Sequence, residues 1–299
     1  MTENLTTLVS SKTQTVEINR TNPTVIIGER INPTGRKLML KALQAGDFDV
    51  VRRDARSQVE AGAKILDVNA GVPGADEPAL LKQLITTVLE VTDVPLCIDT
   101  ADPEALEVAL KSYEGKALIN SVNGEERSLE AVLPLVKEYG AAVIGLCMDE
   151  DGIPVSADDR LRVAANIIKR AEKLGIPSEN IIIDPLALTM GSDHTAGLIA
   201  MQTIQKVVAE FGVNITMGAS NISFGMPDRK FINATFIAMA IHAGLTCPIT
   251  NPLEAEVSIA IKAADLSMGR DEYGMAWIQA FRQRQKEQGV DRDKERLVT

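Results

Sequence analysis

Short aliphatic runs in this chain end repeatedly in a carboxylate or an amide. Glu29 with Asn32, Asp67 with Asn69, Asp99, Asn120 with Asn123, Asp149, Asp184, Asn221 and Asn251 all close such runs, and Arg30 is the one cation beside them. Carboxylates gathered around one cavity repel each other and resist leaving water, so something must offset them. A metal is one solution. No His stands at these positions, which disfavours a transition metal and leaves Mg²⁺ held by oxygen ligands. A flat heterocycle with an amino-amide edge is the other, because that edge donates two parallel hydrogen bonds to one carboxylate. Amides such as Asn120 and Asn221 both donate and accept, so they suit a ring of mixed polarity.

Turn chemistry alone also places Asp and Asn after strands. Asn123, Asp149 and Asn251 stand at turns and are assigned to the backbone. Asp99 differs, because Asp102 already serves as N-cap for the helix that follows. Asp184 precedes Pro185, which holds it extended and should aim its carboxylate across the cavity. His194, in GSDHTAG, is read as a helix cap and His242 as buried in an apolar helix. Asn233 and Met239 are read as core on that same helix, and Cys97 and Cys147 as inert thiols inside strands. Arg36, Lys37, Arg229 and Lys230 are read as solvated surface that could meet an anionic ligand tail.

Eight aliphatic or β-branched segments must carry these tips: 24–29, 64–70, 96–100, 117–122, 142–148, 181–186, 215–221 and 245–250. Helical patterns alternate with them. Residues 48–62 show helical spacing, 103–112 follow Asp102 and Pro103, and 157–173 follow Ser156 with Asp159 three residues on. Asp228 is expected to cap a helix that ends at Gly244. Strand then helix, eight times, predicts an α/β fold of the (β/α)8 TIM barrel type, whose active site lies at the C-terminal strand ends. An open doubly wound sheet is the runner-up, weakened because no GxGxxG follows the first strand. The expected organisation is an N-terminal extension over 1–20 (polar, a cap or partly disordered), a barrel over 21–266, and a C-terminal helix with the charged tail DRDKER over 267–299.

Composition narrows the partners. The 299 residues are 45% hydrophobic but only 3% aromatic, so the core must be aliphatic. A net charge of −10 gives no footprint for nucleic acid or for a basic membrane contact. Three widely spaced cysteines without a CxxC pair support neither disulfides nor zinc, and the first twenty residues lack an apolar signal segment, so a cytoplasmic setting is expected. The uncharged stretch 231–253 carries Asn233, His242, Pro248 and Asn251, and is read as a buried helix and strand rather than a membrane span.

Six of the tips together resemble a known family. IGERIN (27–32), LDVNAG (66–71), CIDT (97–100), INSVN (119–123), IDPL (183–186) and GASNIS (218–223) resemble the pterin-binding barrels of methyltetrahydrofolate:corrinoid methyltransferases and the folate domain of cobalamin-dependent methionine synthase. The resemblance implies that Asp99, Asn120 and Asp184 hydrogen-bond the pterin ring, and that Asn221 reaches its N5 region. It implies that Gly218 and Ser220 line the ring and that Arg229 is a basic residue near the substrate. Methyltetrahydrofolate or tetrahydrofolate would then be the substrate, with no metal bound directly. A DxHxxG cobalt-ligand motif is missing, since Asp193 and His194 are adjacent, so a separate corrinoid protein is the implied partner. A homodimer is implied too, with the C-terminal helix a candidate contact. Dihydropteroate synthase shares the pterin barrel, but its basic motifs are replaced here by Ser220-Asn221-Ile222 and Cys247-Pro248-Ile249. A Mg²⁺-dependent barrel lyase and a non-catalytic folate-binding protein are the remaining alternatives.

Overall fold

The structure, a computed structural model, describes residues 4–287. It opens with an antiparallel hairpin of β1 (Thr7–Ser10) and β2 (Thr15–Ile18). The barrel strands follow: β3 (Ile27–Ile31), β4 (Ile65–Asn69), β5 (Leu96–Asp99), β6 (Leu118–Asn123), β7 (Ala142–Leu146), β8 (Ile181–Asp184), β9 (Asn214–Gly218) and β10 (Cys247–Thr250). They are parallel and close on themselves in the order β10-β3-β4-β5-β6-β7-β8-β9. Around them run α1 (Lys37–Gln44), α2 (Asp49–Glu60), α3 (Glu77–Leu89), α4 (Pro103–Ser112), α5 (Glu126–Tyr139), α6 (Ala157–Lys173), α7 (Ala196–Phe211), α8 (Arg229–Ala243), α9 (Ala255–Ser267) and α10 (Met275–Glu287). The expected (β/α)8 barrel is therefore the fold. The first barrel strand starts later than expected, because Thr24 is tied to α9 instead: its N–H and hydroxyl both donate to the Asp265 carboxylate, at 2.9 and 2.7 Å.

Local chemistry sets the helix starts. Asp102 accepts the Glu104 N–H at 2.9 Å ahead of Pro103. Ser156 accepts the Asp159 N–H at 3.1 Å and donates its hydroxyl to the Asp159 carboxylate at 2.6 Å. The expected cap at Asp228 is not made. That residue is left-handed (φ 47°), and its carboxylate holds no first-turn N–H. Among the described residues no helix is long and apolar enough to cross a membrane. The DRDKER segment lies outside the described residues.

Two apolar layers result. The larger fills the space between strands and helices. The smaller lies inside the barrel: Val25 and Ile27, Ile65, Cys97, Leu118, Ala142 and Ile144, Ile182, and Cys247 and Ile249. Side chains alternate across a strand, so two residues beyond each of these is again an inward position. That count lands on Glu29, Asp67, Asp99, Asn120, Leu146, Asp184 and Asn251. The inner strand surface changes from aliphatic to acidic within one step towards the C-terminal ends.

The other end of the barrel is plugged. Val9 and Ile18 of the hairpin are fully buried in the inner layer. Asn214, at the start of β9, donates its amide to the Leu5 carbonyl, the Thr7 hydroxyl and the Ile18 carbonyl, at 3.2, 3.0 and 2.8 Å. The Tyr113 hydroxyl donates to the Ser10 carbonyl at 2.9 Å. Gly115 (φ 142°) lets the hairpin lie this close, since a Cβ there would collide with that carbonyl. The polar N-terminal sequence is thus an ordered cap whose alternate residues serve as core. Ile18→Ala is expected to cost about 2–5 kcal/mol in chemical denaturation, as for other buried large-to-small changes. A loss below about 0.5 kcal/mol would show that the cap contributes nothing to the core.

Candidate active site

The inward-pointing tips form a shallow polar mouth. On one side, Asp99 and Asn120 are register partners on β5 and β6, and Asn69 is the partner of Asp99 on β4. The Asn69 amide donates to the Asp99 carboxylate at 3.0 Å, and the Asn120 amide donates to Asp67 at 3.1 Å. The Asn120 side-chain oxygen has no hydrogen-bond partner among the described residues, so it is available to a ligand as an acceptor. A cavity of about 400 Å³ opens beside Asp99 and Asn120 and is lined further by Thr100, Asn123, Arg127 and Leu146.

Opposite stand Asp184, Gly218, Ser220 and Asn221, outside that cavity. Asp184 is buried at the end of β8, where it accepts the Leu186 N–H at 2.7 Å and the Gly218 N–H. Gly218 ends β9, and a Cβ on it would lie 3.0 Å from the Asn221 amide nitrogen, so Asn221 folds back over a bare stretch of backbone. Asn221 is exposed, and among the described residues its side chain holds no hydrogen-bond partner. Its amide is available to a ligand. Ser220 donates its hydroxyl to Glu29 at 3.1 Å. Arg229, at the start of α8, donates to the Ser220 carbonyl at 2.7 Å and to the Ser223 hydroxyl at 3.0 Å. The seven residues singled out in the sequence thus stand at or just beyond the C-terminal ends of β5, β6, β8 and β9, and of them Asp99 and Asn120 line the cavity.

Burial dominates the electrostatics. It pushes Glu29 up to about 7, opposed by the Ser220 hydroxyl and reinforced by the charge of Glu254. It pushes Asp184 up to about 7 against the two N–H donors, and Asp99 up to about 6 against the Asn69 amide. Asp67 is raised well above the carboxylate range by burial and then by the neighbouring Asp99. The mouth thus holds acids that lose their protons reluctantly, the condition expected of carboxylates suited to hydrogen-bond donors. The three cysteines are buried and burial raises each thiol, Cys247 to about 12, so none is a nucleophile.

These raised values bear on stability. A carboxyl group whose folded value exceeds its unfolded one favours the fold fully below the unfolded value near 4, and that contribution is lost as pH rises through the folded value. The melting temperature of the ligand-free protein is therefore expected to fall by about 5 °C or more between about pH 5 and pH 8. Surface ion pairs such as Arg170–Glu126 act in the opposite sense at lower pH, but solvent screens them. A melting temperature rising through that window would contradict the burial of these acids.

Several supporting residues escaped the sequence reading. Arg160 is 1% exposed and donates to the Pro154, Pro185 and Leu186 carbonyls at 2.8–2.9 Å, which pins the loop carrying Asp184 and the left-handed Leu186 (φ 63°). A signal was available, since Arg160 occupies the stripe completed by Val163, Ala164, Ile167, Ile168 and Ala171. Gln58 is fully buried on α2 and its side-chain oxygen accepts the Arg30 N–H at 2.8 Å. Asp67 and Glu29 were recognised as tips but not as site residues, and the period-two count from Ile65 and Ile27 would have placed both inward.

Asn123, Asp149 and Asn251 accept the N–H two residues on, at 2.9, 3.2 and 3.2 Å, as turn chemistry requires. His194 is exposed, and the Thr195 N–H is taken by Asp193 instead. His242 is exposed rather than buried, and so is Met239, whereas Asn233 is buried and accepts the Ser223 hydroxyl at 2.6 Å. The error has a physical source: the outer face of α8 carries Phe231 and Met239, so apolar neighbours in sequence do not imply burial there.

Comparison with known proteins agrees with this geometry. A family model described as "Pterin binding enzyme" matches residues 28–251. The methylcorrinoid:tetrahydrofolate methyltransferase of Eubacterium limosum is 30% identical over 262 residues, 87% of this chain and 96% of that protein. The methionine synthase of Mycobacterium tuberculosis is 30% identical over 240 residues, 76% of this chain but only 20% of that much longer protein. Among solved structures, dihydropteroate synthase from Thermus thermophilus in complex with 4-aminobenzoate superposes with a TM-score of 0.66 at 20% identity, covering 87% of this chain and 99% of that one. At that identity the likeness speaks for the fold alone.

Proposed function

This chain belongs to the pterin-binding enzyme family, and from that premise we infer that it is a methyltransferase moving the N5-methyl group between methyltetrahydrofolate and the cobalt of a corrinoid protein. The observation that carries this reading is the arrangement of acceptors. Asp99, the carbonyl oxygen of Asn120 and Asp184 surround one mouth, and the unengaged amide of Asn221 stands on the strand side opposite Asp99. A pterin carries a row of N–H donors along its amino-amide edge, and ionised carboxylates are the strongest acceptors for it. Binding then supplies the donors that the buried acids lack. The missing side chain at Gly218 leaves room for the Asn221 amide to fold back over the backbone beside the mouth.

The chemistry needs more than binding. N5 is a poor leaving group unless it gains a proton or a strengthened hydrogen bond as the C–N bond breaks. An amide is no acid, so Asn221 acts by orienting and stabilising the protonated nitrogen. Arg229 steadies the Ser220–Asn221 turn through the Ser220 carbonyl and adds positive charge near the rim. The corrinoid is carried by a separate protein that docks over the mouth, and the transfer runs in either direction. The enzyme works as a cytoplasmic homodimer. Exposed apolar side chains on α7 and α8 (Leu198, Phe231, Met239) and on α10 (Met275, Phe281) support a subunit contact.

The decisive experiment is calorimetric titration with methyltetrahydrofolate, followed by methyl transfer to cob(I)alamin watched by absorbance. Saturable binding and folate-dependent loss of the cob(I)alamin spectrum are expected. Failure to bind any reduced folate would overturn the reading. Activity abolished by a chelator would move the assignment to a Mg²⁺-dependent enzyme.

A further inference from the structure

We propose that Glu29 is the proton reservoir for the transfer step and feeds the pterin N5 through the hydroxyl of Ser220. The proposal rests on the function inferred above and names the proton source which that reading requires.

Glu29 sits on the inward side of β3, two residues beyond the buried Ile27. Its backbone is fixed, because Gln58 holds the Arg30 N–H and fills the space where a Gly28 side chain would lie, 2.6 Å from an ideal Cβ. The carboxyl group meets the Ser220 hydroxyl at 3.1 Å. Ser220 immediately precedes Asn221 in the 3-10 turn Ala219–Ser223, and Arg229 anchors that turn. The charged groups around Glu29 are Arg30 on its own strand, Arg229 on α8, Glu254 ahead of α9 and Asp67 on β4. Burial, reinforced by Glu254, favours the neutral form and outweighs the Ser220 hydroxyl and the two guanidinium groups, which pushes Glu29 up to about 7.

A hydroxyl can accept one hydrogen bond while donating another. With Glu29 protonated, its acid O–H donates to Ser220, and the Ser220 proton turns into the mouth beside Asn221. In the transfer, cobalt(I) supplies the electron pair of the new bond to the methyl carbon. The pair of the breaking C–N bond stays on N5. N5 takes the Ser220 proton, Ser220 takes the Glu29 proton, and Glu29 is left as a carboxylate beside Arg229 and Arg30 until solvent refills it. The reverse reaction runs the same path backwards and needs Glu29 ionised. Asp99 and Asp184 are less suited, because they become carboxylates when they accept ring donors. Asp67 lies deeper, engaged with Asn120 and Asp99.

The test uses single-turnover transfer from methyltetrahydrofolate to free cob(I)alamin, from about pH 5.5 to about pH 9, for the full chain and for Glu29→Gln, Glu29→Asp and Ser220→Ala. The unaltered protein should lose about tenfold in rate per pH unit above about 7. Glu29→Gln and Ser220→Ala should be about 100-fold slower at pH 6, with a flat profile and methyltetrahydrofolate affinity within about threefold. Glu29→Asp keeps the acid but falls short of Ser220, and should be slow with its pH dependence retained. A readout independent of turnover is the infrared pH titration of the ligand-free protein. Acid-carbonyl absorbance should be lost with a midpoint near 7 from both Glu29 and Asp184, and folded Glu29→Gln, its fold checked by thermal melting, should lack the Glu29 share that remains in Asp184→Asn. A Glu29→Gln variant with the unaltered pH profile, or one whose rate loss is matched by lost affinity, would overturn the proposal. If the unaltered protein neither binds methyltetrahydrofolate nor transfers its methyl group, the functional reading itself fails.

Discussion

Asn221→Ala is expected to lower the single-turnover rate of methyl transfer by about 100- to 1000-fold while changing methyltetrahydrofolate affinity by less than about threefold. The range is that seen when one preorganised hydrogen-bonding group facing a developing charge is removed. The asymmetry between rate and affinity follows from when the interaction matters. In the ground state N5 is a tertiary amine with little need of a polar partner. As its bond to carbon breaks it becomes basic, and a dipole already in place stabilises it without reorganising. The structure provides for that preorganisation. The amide lies over Gly218, on a turn held by Arg229, and has no partner to abandon among the described residues. Asn221→Asp gives a useful contrast, since a carboxylate can also hold a proton and should recover part of the rate at acidic pH. Equal losses in rate and affinity for Asn221→Ala would show that the residue only helps to hold the ring.

The second large effect belongs to Asp184. Asp184→Asn should weaken methyltetrahydrofolate binding by about 100-fold, with the rate at saturation changed by less than about fivefold. Asp184 accepts two backbone N–H groups while facing the mouth, so it needs acceptor capacity on both sides. An amide offers one oxygen for that task and turns its NH₂ towards other donors, either the backbone or the ring. The pH dependence gives an independent check. Burial pushes Asp184 up to about 7, and ring donors should draw it back down by favouring the carboxylate. Binding near pH 6 should therefore release a proton, and affinity should fall as pH drops below about 7. Titration in buffers of different ionisation enthalpy measures that proton directly. The release should shrink in Asp184→Asn to the part contributed by Asp99, and unaltered affinity in that variant would remove Asp184 from the pterin site.

Legibility in the sequence followed the range of the physics involved. All eight barrel strands could be read because a strand buried on both faces must be continuously aliphatic, a property of a few neighbouring residues. Caps at Asp102 and Ser156 were legible for the same reason, since donor and acceptor lie within three positions. Asp228 has the right residue type at the right place, but its left-handed backbone turns the carboxylate away. The hairpin over 7–18 was illegible because its apolar residues, Val9 and Ile18, find their partners on the barrel floor, with Asn214 the clamp some 200 positions away. His242 was misjudged because the outer face of α8 is itself apolar.

The sequence by itself determined the alternation of strand and helix, the acidic and amide-bearing strand ends, and the side of the barrel on which they must gather. These follow from the period of two along a strand and from the handed return of each helix, both local rules. Only the tertiary structure decided which tips face one another and in what state. It committed the Asn120 amide to Asp67, left that of Asn221 unengaged, set Glu29 against Ser220 across 191 residues, and slid Arg160 beneath the loop of Asp184. The reason is that desolvation and hydrogen-bond pairing depend on distance in space. Barrel closure brings β10 beside β3 and makes neighbours of groups that the chain keeps far apart.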